Sequence, residues 1–167
     1  CDAILLSSEA DFHPPAGEAL KTARRKWLNL KDGPEDAGEF DLVVVGGGYA
    51  GMGAALAGAR QALKVAFIQD RFVLGGNGSS EVRVWANGGT MRGKYPHLGE
   101  IVEEFADHAP DSPGDGAHYG DELKEQVCRK ERNLTLFLGH FAHAVDADSK
   151  TKEIKSVTAL EVKTGRD

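Results

Sequence analysis

Between Leu42 and Ile68 the chain carries an order of residues that few folds accept. Leu42-Val43-Val44-Val45 is a β-branched apolar run of the kind found in strands covered on both faces. It passes directly into Gly46-Gly47-Gly48-Tyr49-Ala50-Gly51, which matches G-x-G-x-x-G. Met52, Ala55, Leu56, Ala59 and Leu63 then recur at helical spacing, while Gly53, Ala54 and Gly58 keep another face small. A helix built this way can lie close against a sheet. Lys64-Val65-Ala66-Phe67-Ile68 supplies a second buried strand, completing a β-α-β unit. Its two strands are expected to be parallel, joined by a right-handed crossover.

Each glycine of the turn has its own reason. Gly46 permits the sharp exit from the strand, Gly48 leaves no Cβ between backbone and a pyrophosphate, and Gly51 lets helix and strand approach. A pyrophosphate would sit at the helix N-terminus, where unpaired N–H groups and roughly half a positive charge await it. Tyr49 and Ala50 complete that first turn. An anion is held there without Lys or Arg, which suits a chain of 26 acidic and 20 basic residues with net charge −6. The same balance argues against a general affinity for nucleic acid or anionic lipid. The alternative is a purely structural turn that binds nothing. At the end of the second strand, Gln69 and Asp70 are the candidates for a hydrogen bond to a ribose hydroxyl. With no basic pair nearby, a 2′-phosphate is disfavoured.

Further stretches carry a family resemblance. Glu39 to Gly48, Lys64 to Arg71, Val73-Leu74-Gly75-Gly76-Asn77 and Ser79 to Trp85 together resemble the N-terminal part of the FAD-dependent oxidoreductase family. These are flavoproteins of the glutathione-reductase-like, two-dinucleotide-fold type. The resemblance extends more loosely from Asn133 to Gly165. It implies an α/β Rossmann-like FAD-binding domain with a parallel sheet and a β-meander crossover, truncated at its C-terminal end. It also implies FAD as cofactor, with Gly75, Gly76 and Asn77 following the diphosphate and ribityl chain and Ala142 offering backbone to the adenine. The activity implied is transfer of a hydride or electrons from a small organic substrate through the flavin. The substrate domain, and a late Gly-Asp element at the flavin phosphates, are expected beyond Asp167. Two departures stand out: Tyr49, where a small residue or Pro is usual, adds bulk near the phosphates, and Ala62 stands where Gly often ends the helix. One independent feature of the sequence favours FAD over NAD. A glycine-rich excursion, rather than an immediate helix and strand, follows the second strand, and later come Leu134–Leu138, Ala142–Val145, a polar turn at 146–152 and Ile154–Val162.

The remaining features read more simply. Residues 1–39 are expected to form a connector, with a strand-like run at Ile4-Leu5-Leu6 and a short helix from Glu18 to Leu30 that aligns Ala23, Trp27 and Leu30. The stretch from Ala3 to Phe12 loosely resembles the closing strand of a sugar-binding β-sandwich, which would place a carbohydrate module upstream. Residues 40–167 are then the FAD-binding domain. Within the excursion, Leu98, Ile101, Val102 and Phe105 predict one amphipathic helix, and Tyr119, Leu123 and Val127 another. Glu103 and Glu104 are read as a solvated face. Two cysteines, Cys1 and Cys128, make neither a disulfide scaffold nor a Cys-x-x-Cys pair. The histidines, including His140 and His143, lack metal-ligand spacing, so no metal is expected. Ser79-Ser80 has no G-x-S-x-G context. Arg83, Trp85 and Asn87 line either a flavin or substrate cleft or a polar-edged strand. No apolar run approaches the roughly 20 residues of a membrane span, so a soluble, by default cytoplasmic, protein is expected; a processed lipoprotein beginning at Cys1 is the alternative. From a different functional class, a non-catalytic module that senses NAD or ADP-ribose is the second hypothesis.

Overall fold

Largely apolar runs without Gly or Pro make the sheet. In the computed structural model, which describes residues 6–27, 29, 33–84, 86, 92–106 and 119–165, strands β1 (Leu42–Val45), β2 (Val65–Gln69) and β3 (Leu134–Leu138) form a parallel sheet in the order β1-β2-β3. The register pairs Val44 with Phe67 and Phe67 with Leu136. β2 lies in the middle and all five of its residues are buried, as a strand covered on both faces requires. Helix α1 (Gly17–Trp27) precedes the sheet, α2 (Tyr49–Arg60) links β1 to β2, and a single turn α3 (Glu100–Glu103) with α4 (Asp121–Lys130) comes before β3. After β3 the chain makes an antiparallel hairpin of β4 (His140–Ala147) and β5 (Ile154–Glu161). Asp148 shapes its turn by accepting the N–H groups of Lys150 and Thr151 at 2.8 and 2.9 Å. The fold is the Rossmann-type α/β domain that the sequence pattern implies.

The core is the contact between α2 and the sheet. Met52, Ala55, Leu56 and Ala59 pack on Val65, Phe67 and Leu134, with Leu74, Phe105 and Cys128 closing the cluster. Burying a side chain the size of Leu56 or Phe67 contributes about 2 kcal/mol. Close approach is enforced at Gly58, where a Cβ would stand 2.7 Å from Leu42 Cδ2 and 3.3 Å from Val65 Cγ2. At the far end of α2, Arg60 meets Glu104 at 2.6 Å and Glu131 at 2.7 Å. These groups are partly exposed, so each pair contributes about 1 kcal/mol at most, but together they tie α2 to the end of α3 and to the residue that follows α4.

Several expected faces shift. Leu63 does not join the core; it is 40% exposed, because α2 ends at Arg60 and Ala62 takes a left-handed φ of +67°. The stripe Tyr119, Leu123, Val127 is also rephased. Gly120 turns the chain at φ +63° and α4 begins only at Asp121, so Tyr119 lies ahead of the helix and Lys124 and Cys128 become its buried positions. Leu123 is left partly exposed. The first excursion helix is reduced to a 3-10 turn (Pro96–Gly99) and α3; Phe105 is buried and Ile101 and Val102 pack on the core, but Leu98 is 73% exposed. Helix α1 buries none of its residues. Residues 6–16 carry no strand, and Ile4, Leu5 and Leu30 lie outside the described residues.

Candidate dinucleotide site

Where β1 ends, the backbone has to reverse direction within a few atoms of its own helix. Gly46 does so at φ +105°, which disfavours any side chain, while its N–H stays bonded to the Ile68 carbonyl at 2.9 Å. A methyl on Gly51 would be driven into the Gly46 carbonyl oxygen and to 3.0 Å from its carbon, so α2 starts hard against the strand end. Gly47 faces inward, with a Cβ there only 2.7 Å from Leu74 Cδ2 and 2.8 Å from Gln69 Cδ. Gly48 is the opposite case. Its φ of −71° and ψ of 176° suit any residue, and a Cβ would meet nothing within 4 Å. The bare Cα therefore opens a cradle at the helix N-terminus. Met52 is the donor to the Gly48 carbonyl at 2.9 Å, so the N–H groups of the turn before it point out of the helix end.

A second glycine turn lies alongside. Gly75 donates to the Gly47 carbonyl at 2.7 Å and forms a parallel bridge with Gly48. Gly75 and Gly76 both take left-handed φ values, +110° and +58°. A Cβ on Gly76 would come within 3.3 Å of Gly48 Cα. The 3-10 turn Gly76–Gly78 is fastened by Ser79, whose hydroxyl donates to the Gly76 carbonyl at 2.7 Å. Asn77 projects to solvent while its carbonyl accepts the Val84 N–H at 2.9 Å. Ser80 is joined to Asp121 at the start of α4 through both its N–H and its hydroxyl. Thus Gly46, Gly48, Tyr49, Ala50, Gly51, Gly75, Gly76 and Asn77 share one end of the sheet. A side chain at Gly48 would stand in the open space at the helix end, whereas one at Gly76 would press on the Gly48 Cα.

Three side chains are placed differently from the sequence expectation. The Tyr49 ring turns away from the cradle: it packs edge-on against Phe105 at 5.2 Å and lies over Gly78, where a Cβ would be 2.7 Å from its Cζ. Its bulk is absorbed by protein, and the N-terminus of α2 stays open. Gln69 is buried, 6% exposed. Its Oε1 accepts the Gly47 N–H at 2.8 Å and its Nε2 donates to the Val73 carbonyl at 3.3 Å. Both ends of the amide hold loops, leaving Asp70, exposed just past β2, as the outward-facing member of that pair. Arg83 sits in a turn at φ +62°, its Nε donating to the Ser80 carbonyl at 3.0 Å; Trp85 and Asn87 lie outside the described residues. Ala142 is on β4, paired with Ala159 beside a β-bulge. The base of that hairpin is fixed to the loop after β2, since Gly139 donates to the Arg71 carbonyl at 2.9 Å and lies under the Phe72 ring.

Sequence reasoning missed Lys124, whose side chain passes under Gly75. Its signal was available: it stands four positions before the buried Cys128 on α4. The Cys128 thiol is pushed up from the ordinary 9.0 to about 12, chiefly by burial and then by Glu131, which leaves no thiolate for nucleophilic chemistry near neutral pH. Among the described residues no three His, Cys, Asp or Glu groups come together, and no helix is long and apolar enough to cross a membrane.

Comparison with known proteins bears on the family and the fold. The family model described as FAD dependent oxidoreductase matches residues 41–167. No curated protein matches the chain. Among solved structures, it is similar to THI4 of Thermovibrio ammonificans at 20% identity and TM-score 0.51, covering 87% of this chain and 55% of that one. Weaker likenesses include Aquifex aeolicus GidA (22% identity, TM-score 0.47, 72% of this chain and 22% of that one). Another is the glycerol-3-phosphate dehydrogenase of Bacillus halodurans complexed with FAD (15%, TM-score 0.47, 78% and 32%). The THI4 likeness, at this identity, concerns the fold. The chain spans about half the length of that THI4 structure.

Proposed function

The chain belongs to the FAD dependent oxidoreductase family, and from that membership and the glycine cradle we propose that it binds FAD and serves as the cofactor-holding part of an oxidoreductase. The observation that carries the reading is the open Cβ direction of Gly48 at the N-terminus of α2, with Gly75 and Gly76 alongside it. N–H groups of the turn from Gly48 to Gly51 receive the diphosphate, and the helix dipole adds its partial positive charge. Gly76 and Asn77 border the same ligand, towards its ribityl chain. Asp70 accepts from an adenosine ribose hydroxyl. Gln69 supports it indirectly, by fixing Gly47, and Ala142 offers backbone to the adenine.

Bound FAD would supply two-electron chemistry, accepting a hydride from an organic substrate and passing electrons to a second acceptor. The residues of this chain bind and orient; the acid or base that meets the substrate belongs to a substrate domain beyond it. That division is consistent with a chain spanning 55% of THI4. In the same reading residues 40–167 form the FAD domain and residues 1–39 a connector. The test is the visible spectrum of the purified full-length protein. Flavin bands that persist through gel filtration, with FAD released on denaturation, support the proposal. A colourless protein that melts later with NAD or ADP-ribose, and not with FAD, sinks it.

A further inference from the structure

One buried amide joins the two glycine turns. Gln69, the last residue of β2, has both ends of its side chain in use: Oε1 accepts the Gly47 N–H at 2.8 Å and Nε2 donates to the Val73 carbonyl at 3.3 Å. The carbonyl of Gly47 in turn accepts the Gly75 N–H at 2.7 Å, and Gly75 follows Val73 by two residues. These bonds close a ring that runs from the Gln69 side chain through the first turn to the second and back. Space for it is reserved in the backbone, since a Cβ on Gly47 would stand 2.8 Å from Gln69 Cδ and 2.9 Å from its Cγ. Only glycine at position 47 lets the amide lie flat against the turn.

Such a ring needs a side chain that accepts at one end and donates at the other. A carboxylate only accepts, a hydrocarbon does neither, and a buried peptide group without its partner is costly. The two turns depend on the ring unequally. The first is also held by the Gly46 N–H on the Ile68 carbonyl and by the Met52 N–H on the Gly48 carbonyl. The second is closed on itself by the Ser79 hydroxyl on the Gly76 carbonyl, a bond that sets its shape rather than its distance from the first turn. What spans the gap between them is the Gly75–Gly47 bond together with the Gln69 amide. We propose that Gln69 is a positioning residue that couples the two turns: it holds the second in register with the first, so that the site engages the ribityl side of FAD as well as the adenosine diphosphate side. The proposal rests on the FAD reading above. Removing the amide then costs the contacts made by the second turn and spares those at the N-terminus of α2, whereas a merely structural role weakens every ligand alike.

The test compares FAD with ADP, which has the diphosphate and adenosine but no ribityl chain, by calorimetry on the full-length protein as wild type and Gln69→Leu, with ligand-free melting curves for each. Wild type binds FAD more tightly than ADP. In Gln69→Leu, FAD affinity falls about 10-fold, the equivalent of one ordinary hydrogen bond. ADP affinity falls by less than about 3-fold, well under that step, so the preference for FAD shrinks. Gln69→Met, an apolar side chain of similar length, makes the same comparison should Gln69→Leu not melt cooperatively. Hydrogen exchange on the wild type adds a readout that needs no variant: the Gly47 and Gly75 amides, both inside the ring, exchange slowly, and FAD slows the two further. Equal losses for both ligands, unchanged FAD affinity, a wild type that prefers ADP, or a fast-exchanging Gly47 amide overturns the proposal and leaves the FAD reading standing. A wild-type protein that binds neither ADP nor FAD refutes that reading, and this proposal with it.

Discussion

Two glycines of one turn, three residues apart, respond to the same substitution in opposite ways. Gly48→Ala adds a methyl to a backbone already in an ordinary extended conformation, with nothing within 4 Å. Folding stability changes by about 1 kcal/mol or less, the cost of alanine at a helix N-cap, which is a melting shift of about 2–4 °C for a chain of this size. The methyl occupies the space through which a diphosphate reaches the helix end. Holding the ligand off sacrifices at least one hydrogen bond to a charged group, so FAD affinity falls by about 10- to 100-fold. Gly51→Ala instead drives its methyl into the Gly46 carbonyl oxygen. Backbone on both sides has to part, at about 3 kcal/mol or more, and the melting temperature drops by roughly 6–12 °C. Thermal melts and FAD titrations of both variants separate the effects. Full FAD retention in Gly48→Ala, or destabilisation of Gly48→Ala to the extent of Gly51→Ala, refutes the assignment of the cradle.

Other consequences are smaller but specific. Gln69→Leu orphans the buried N–H of Gly47 and the carbonyl of Val73, and urea denaturation should show a loss of about 1–3 kcal/mol. Ala62→Gly relieves a left-handed φ of +67° and should stabilise the protein by about 1 kcal/mol on the same assay; a loss of stability contradicts the helix end described above. Because folding raises the Cys128 pKa from 9.0 to about 12, the unfolded chain releases that proton first. Its contribution to stability is intact below pH 9 and is lost as pH rises towards about 12. In a Cys1→Ser background, Ellman's reagent should leave the native thiol untouched at pH 8 and label it on unfolding.

The β-α-β unit was legible because its signals are local. A β-branched run, a glycine turn and small residues at helical spacing each state their conformation within a few residues, and together they leave one parallel arrangement. What escaped depends on contacts between distant segments. The inward turn of Gln69 is decided by Gly47, far back in the chain, whose N–H requires an acceptor exactly at that strand end; no periodicity reports it. The Tyr49 ring turns aside from the glycine turn because Gly78 and Phe105 offer it a resting place. The phase of α4 differs from the expected stripe because Gly120 caps the helix and α4 starts only at Asp121, placing Lys124 rather than Leu123 inside. In each case the residue type was visible and its neighbour was not.

The central claim, that main-chain N–H groups at the start of α2 grip a diphosphate, is tested most directly by amide NMR of the 15N-labelled protein during titration with FAD. The account predicts that Gly48, Tyr49, Ala50 and Gly51, followed by Gly76, shift furthest and saturate together. Saturating FAD that leaves those five amides unmoved, while others shift, contradicts it.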